Sequence, residues 1–216
     1  MVRTTKEEII TLLEKRDFDR LAALVTEKKA NMKYLYRLLY DTESLLRWRA
    51  IEGVGAAADR LAAEDPEAVR IILRKLLWSI NDESGGIGWS APECIGEIIY
   101  RRPDMFPEFA SIILSYADEE ILRRGVVWAA GRIARARPAL VQKALPGLTV
   151  FLDDPDPVVR GYTLRLLDIT GTTPGMDRLR PLLDDQSAVP VYANGILEKT
   201  TVAALAARVA ARESRS

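Results

Sequence analysis

The chain has 216 residues, 48% of them apolar and 29% charged, with 31 basic side chains against 31 acidic ones, one cysteine and no histidine. That is the material of one ordinary globular domain, and its zero formal charge gives no general drive towards phosphate backbones or anionic lipid. Without histidine, Ser-His and Cys-His nucleophiles and nearly every zinc or non-haem iron site lose a required part, while the single thiol, Cys94, can form neither an internal disulfide nor a multi-thiolate metal site.

Thr5 followed by Glu8 is a capping-box pattern, and Ile9, Leu12 and Leu13 continue at helical spacing until charge takes over at residues 14–17. The same period recurs over residues 18–25, 32–40, 45–61 and 68–80, whereas alternating strand-like runs are scarce. Breaks fall at Asp65-Pro66, Ser84-Gly85-Gly86, Arg102-Pro103, Arg137-Pro138, Asp154-Pro155-Asp156-Pro157 and Thr173-Pro174-Gly175. Helices alternating with short turns predict an all-α fold of stacked helical hairpins. No apolar run approaches the roughly 18 residues of a membrane span. The expectation is a cytoplasmic protein with no membrane attachment, no metal and no cofactor.

Five ten-residue segments superimpose without gaps: residues 46–55 (LRWRAIEGVG), 87–96 (IGWSAPECIG), 122–131 (LRRGVVWAAG), 159–168 (VRGYTLRLLD) and 189–198 (VPVYANGILE). Slots one, five, six, eight and nine of each are mostly small or apolar, which describes one buried helical stripe used five times.

This pattern, apolar-Arg-x-x-Ala-Ala-x-Ala-Leu-Gly after an Asp-containing turn, resembles the second helix of HEAT repeats, especially the short HEAT-like units named after phycobiliprotein bilin lyases. The resemblance implies an α-α superhelix of about five hairpins over residues 41–200, capping helices over 1–40, and a capping helix or fraying tail over 201–216, all within one domain. It also implies that Arg47, Arg123 and Arg160, in slot two, brace the preceding acidic turns, with Asp41 or Glu43, Glu119 or Glu120, and Asp156 as partners. Gly88 and Pro190 break the pattern, so repeats two and five are expected to be irregular.

In such a stack slots three, four and seven of the second helices point into a concave groove. They hold Trp48, Arg49 and Glu52; Trp89 and Glu93; Arg124 and Trp128; Tyr162 and Arg165; and Tyr192. Three of the four tryptophans would share one surface, forming an apolar patch unusual for a soluble monomer. The alternatives are structural. Ser90 to Glu93 is also a capping box, with Trp89 as a staple on Cys94 and Glu93 as the reciprocal cap. Trp48 and Trp128 could be covered by the N-terminal helices, with Tyr34, Tyr36 and Tyr40 as the covering surface. Trp78, among Ile71, Leu73, Leu76, Leu77 and Ile80, reads as hairpin core, Cys94 as a small buried hydrophobe, and Arg132, Arg135 and Arg137 as the solvated end of a helix.

The functional expectation is a non-enzymatic binding or scaffold module. Its groove, formed by Trp48, Glu52, Trp89, Glu93, Arg124, Trp128, Tyr162, Arg165 and Tyr192, would hold a partner peptide or helix, or a small hydrophobic ligand. A weaker resemblance to HEAT-like alkylpurine DNA glycosylases rests on Trp89, Glu93 and Arg124. Against it stand a Glu where that family has Asp and a net charge that disfavours nucleic acid. A bilin-lyase or cofactor-chaperone role follows only from the name of the repeat unit. Di-iron deoxyhypusine hydroxylases, another HEAT-repeat class, need His-Glu ligand pairs that this chain lacks.

Overall fold

The computed structural model describes residues 5–41, 44–81 and 90–213. Thr5 accepts the Glu8 amide at 3.1 Å and opens α1 (Lys6–Lys15), as the capping box requires. Asp17 caps α2 (Phe18–Glu27) through the Arg20 amide, and a 3-10 turn at Lys29–Asn31 leads into α3 (Met32–Leu38). The long α4 (Leu45–Glu64) follows. Asp65 then ends α4 and caps α5 (Pro66–Ile80), whose first residue is the proline that needs no amide partner there. Next come α6 (Ala91–Arg101) and α7 (Glu108–Leu114). The remainder comprises α8 (Glu120–Ala136), α9 (Leu145–Thr149), α10 (Pro157–Thr170), α11 (Met176–Leu179), the strands β1 (Ala188–Ala193) and β2 (Ile196–Thr201), and α12 (Val202–Glu213). Among the described residues the fold is all-α apart from one two-stranded hairpin, and no described helix is long and apolar enough to cross a membrane.

The chain divides into two compact units, residues 1–109 and 110–216. In the first, α4 is the hub: α1, α2, α3, α5 and α6 all pack on it. Ile9, Leu13, Leu21, Leu35, Ile51, Leu61 and Leu73 are fully enclosed there. In the second, α10 lies between α8 and α12 and also carries β1.

The last of the five repeated segments departs from expectation. Residues 189–198 form most of the antiparallel β1–β2 hairpin, paired from Ala188 with Thr201 to Ala193 with Ile196. Asn194 and Gly195 make the turn with φ of 52° and 82°, the geometry of a tight hairpin turn that matches strand twist. Val189, Val191 and Tyr192 favour extended backbone, and Pro190 excludes a helix interior. The segment after it, expected as a capping helix or fraying tail, is helical: α12 buries Val202, Leu205, Ala206 and Val209 and packs on α10.

The slot-two arginines brace differently from expectation. Arg123 donates to the Ala117 and Asp118 carbonyls, both at 3.0 Å, and through Nη1 to Asp154 Oδ2 at 2.8 Å. Arg160 donates to the Asp154 and Pro155 carbonyls at 2.7 and 3.0 Å, and through Nη2 to Asp185 Oδ2 at 2.6 Å. Each thus closes its own preceding turn through backbone carbonyls and takes its carboxylate from the following repeat. Glu119, Glu120 and Asp156 are not those partners. Glu43 and the stretch 84–88 lie outside the described residues.

Candidate binding surfaces

The expected aromatic groove is not open at the tryptophans that can be placed. Trp48 is 5% exposed and Trp128 8% exposed. For Trp48 the reason lies in the packing of α4, which is enclosed by helices on several sides and leaves a stripe of half-buried residues. Arg49 and Glu52 lie on that stripe, and α1 reaches them: Arg16 donates to Glu52 Oε1 at 2.8 Å, and Arg49 to the Glu14 carbonyl at 3.0 Å. The N-terminal helices therefore pack on this helix, although Tyr40, expected as part of a covering surface, is 57% exposed. Trp89 lies outside the described residues.

Glu93 is 4% exposed and does not act as a helix cap. Arg47 Nη2 donates to its Oε1 at 2.5 Å, while Arg47 Nε donates to Ser90 Oγ at 2.9 Å, and the Ser90 hydroxyl donates in turn to the Leu39 carbonyl. Arg47 thus reaches into the next repeat, while Glu43, one of its two expected partners, lies outside the described residues; against expectation, Ser90 makes no capping bond. Glu93 Oε2 is buried without a hydrogen-bond partner. Cys94, fully buried as expected, has its thiol pushed far up by that burial and, secondarily, by the Glu93 charge, so it stays protonated and inert.

In the C-terminal unit Arg124 is more than half exposed and paired with Asp156, and Tyr162 is buried with its hydroxyl donating to the Pro190 carbonyl at 3.0 Å. Arg165 and the hairpin strand carrying Tyr192 flank a separate small pocket. The other expected groove residues are divided between the two units, Trp48, Glu52 and Glu93 in the first and Arg124, Trp128, Tyr162, Arg165 and Tyr192 in the second.

Sequence reasoning missed an open apolar surface of the N-terminal unit. Trp78 is 69% exposed and Ile71 44% exposed. The core face of α5 is Val69, Leu73 and Leu76, whereas Ile71 and Trp78 are seven residues apart on another face, with Lys75 between them. Counting apolar residues along α5 without assigning them to faces made Trp78 look like core; the seven-residue spacing was the available signal. Beside this stripe, α5 and the α2–α3 segment enclose a cleft of about 510 Å³. Val25, Met32, Leu61, Ala68 and Ile72 give it an apolar lining, and Lys29, Lys33 and Lys75 line it together with Asp65 and with Glu67, which is paired with Arg74. Lys29 is paired with Asp65 at 2.7 Å; Lys33 lies over the Tyr34 ring, 4.9 Å from its centroid, and no ion pair joins Lys33 or Lys75 to a described carboxylate. Burial holds the Tyr36 phenol in this cleft neutral.

No protein-family model matches the chain. An uncharacterised protein of Archaeoglobus fulgidus is 32% identical over 113 residues, which are 52% of this chain and 56% of that protein. The matched stretch thus spans little more than half the length of that relative. Among solved structures, an engineered protein is similar in fold over 99% of this chain and 98% of its own, with a TM-score of 0.54 at 14% identity. An archaeal HEAT-like repeats protein from Thermococcus onnurineus NA1 aligns over 98% of this chain and 81% of its own, with a TM-score of 0.43 at 14% identity.

Proposed function

We propose that this protein is a non-enzymatic interaction module of the HEAT-like kind, and that its N-terminal unit holds an acidic amphipathic helix of a partner protein along the outer face of α5. The carrying observation is the coincidence of an exposed Trp78–Ile71 stripe with an open apolar cleft also lined by Lys33 and Lys75. A tryptophan left in water forgoes several kcal/mol at roughly 25 cal/mol per Å² of apolar surface, and tryptophan is enriched among residues that dominate binding energy. Met32 gives the lining an adaptable side chain suited to partner apolar groups. The lysines favour a ligand whose apolar ridge is flanked by Glu or Asp, and they disfavour a basic one. An interaction role also agrees with the resemblance of the repeats to HEAT-like units.

The test uses a fluorescently labelled model peptide, helical, with leucines on one face and glutamates flanking them, beside a version carrying lysines for the glutamates. Anisotropy is expected to rise saturably with the acidic peptide, to stay flat with the basic one, and to fall away with Trp78→Ala or Lys75→Glu. Failure of wild type to bind the acidic peptide, or equal binding by Trp78→Ala, would overturn the assignment.

A further inference from the structure

The Arg123–Asp154 and Arg160–Asp185 pairs show how the C-terminal unit usually treats its inward-reaching arginines: each is matched with a carboxylate. One pocket of about 220 Å³ breaks that habit. Arg135 from the last turn of α8, Arg165 from α10 and Arg208 from α12 all line it, over a floor that includes Leu164, Val191 and Leu205. None of the three is hydrogen-bonded or ion-paired to another described residue. Two carboxylates, Asp168 and Glu198, also line the pocket, but Asp168 already accepts from Arg212 at 2.9 Å. Glu198 is the remaining lining carboxylate, and it is exposed, as are Arg135 and Arg208. Arg165 is half-buried, and its charged form is disfavoured first by that burial and then by the Arg135 charge, with Arg208 and Arg132 adding to it.

We infer that this pocket is a phosphoryl-binding site in which Arg135, Arg165 and Arg208 clamp the dianionic oxygens of a phosphate monoester. Guanidinium groups carry planar donors whose geometry matches phosphate, and a dianion relieves the repulsion among three converging cations. The volume is below the range typical of drug-sized ligands, so the site takes a phosphoryl group with a small substituent and not a whole nucleotide. The apolar floor accepts the carbon side of such an ester, and Thr200, also lining the pocket, offers a hydroxyl donor. The site lies wholly in residues 135–208, so it stands or falls separately from the α5 face.

Calorimetric titration at constant ionic strength tests this with phenyl phosphate, inorganic phosphate, and a phosphoserine peptide beside its unphosphorylated form. Saturable binding of at least one phosphoryl probe, at a dissociation constant of about 1 mM or tighter, is expected, with no response to chloride. Phenyl phosphate alone would mark a small-molecule site, and the peptide alone a phosphopeptide site. Arg165→Met should weaken binding by about tenfold or more. Because it removes an uncompensated cation, the same substitution should leave the thermal midpoint in phosphate-free buffer unchanged or raise it, whereas an arginine with a merely structural role would lower it. The control Arg74→Met, on the exposed surface of the other unit, should bind as wild type. No saturable binding of any phosphoryl probe, or wild-type affinity in Arg165→Met, would overturn the inference.

Discussion

Arg47 and Glu93, 46 residues apart in sequence, meet at 2.5 Å with side chains only 6% exposed on either partner. The pair joins α4 to the first turn of α6 and sets the relative placement of those helices in the N-terminal unit. Removing one member strands the other in the interior, where a broken buried pair typically costs about 3–5 kcal/mol. Arg47→Met and Glu93→Leu should each lower the urea midpoint strongly, and the double variant should recover most of the loss. Additive losses in the double variant would show that the two residues act independently.

The tryptophans should divide sharply. Trp48→Ala empties a buried site and should cost about 3–5 kcal/mol. Trp78→Ala removes an exposed ring and should stay within about 0.5 kcal/mol of wild type. Chemical denaturation of both variants decides it, and equal effects would contradict the burial pattern.

Gly161 lets β1 approach α10. A Cβ at that position would lie 2.5 Å from Val189 Cγ2 and 2.7 Å from Cγ1, against a fully buried side chain that is stiff at χ1. Gly161→Ala should destabilise by about 1–3 kcal/mol, and Val189→Ala in the same chain should restore part of the loss. Absence of any coupling between the two substitutions would refute the close approach.

Asp185 gives the C-terminal unit an acid-sensitive joint. Burial alone would raise its pKa, yet hydrogen bonds from Ser187 and Arg160, with the Arg160 charge, hold it below the ordinary aspartate value. A carboxyl depressed on folding contributes stability above its unfolded pKa of about 3.9 and loses it as pH falls through the folded value. Asp185→Asn should therefore be less stable than wild type at neutral pH, and the two curves should converge as the solution is acidified below pH 4. Thermal midpoints measured between neutral pH and pH 3 test the sign; a gap that widened on acidification would reverse it.

Cys94 should resist thiol reagents in the folded protein, because it is fully buried and its thiol is held protonated. Labelling should begin only as the N-terminal unit unfolds in denaturant. Rapid labelling under native conditions would show that α6 opens readily.

Much of the architecture was legible from local signals. Thr5 with Glu8, Asp65 with Pro66, and the alternation of apolar stripes with Pro and Gly breaks mark helix starts and stops that need no distant partner. Asn194-Gly195 between Val189, Val191 and Ile196 was also a local signal, but the repeat alignment overrode it with a helix. The binding surfaces were harder to read. A slot on a second helix faces a groove only if the neighbouring helices leave it open, and whether α1 covers α4 depends on tertiary packing. Likewise, that Arg47 finds Glu93 and Arg123 finds Asp154 follows from the offset between repeats, which no residue-by-residue pattern encodes. Trp78 was misread for a simpler reason: the apolar residues of α5 occupy two faces.

Asp154 serves two arginines at once, its carboxylate accepting from Arg123 and its carbonyl from Arg160. Repeats joined only by apolar faces can fray one at a time from an end, because each interface is lost separately. A shared residue makes the loss of one brace weaken the next. The helices α8 and α10 should therefore open as one foldon, giving this stretch of the chain a single threshold of unfolding where an ordinary repeat array would show a gradient.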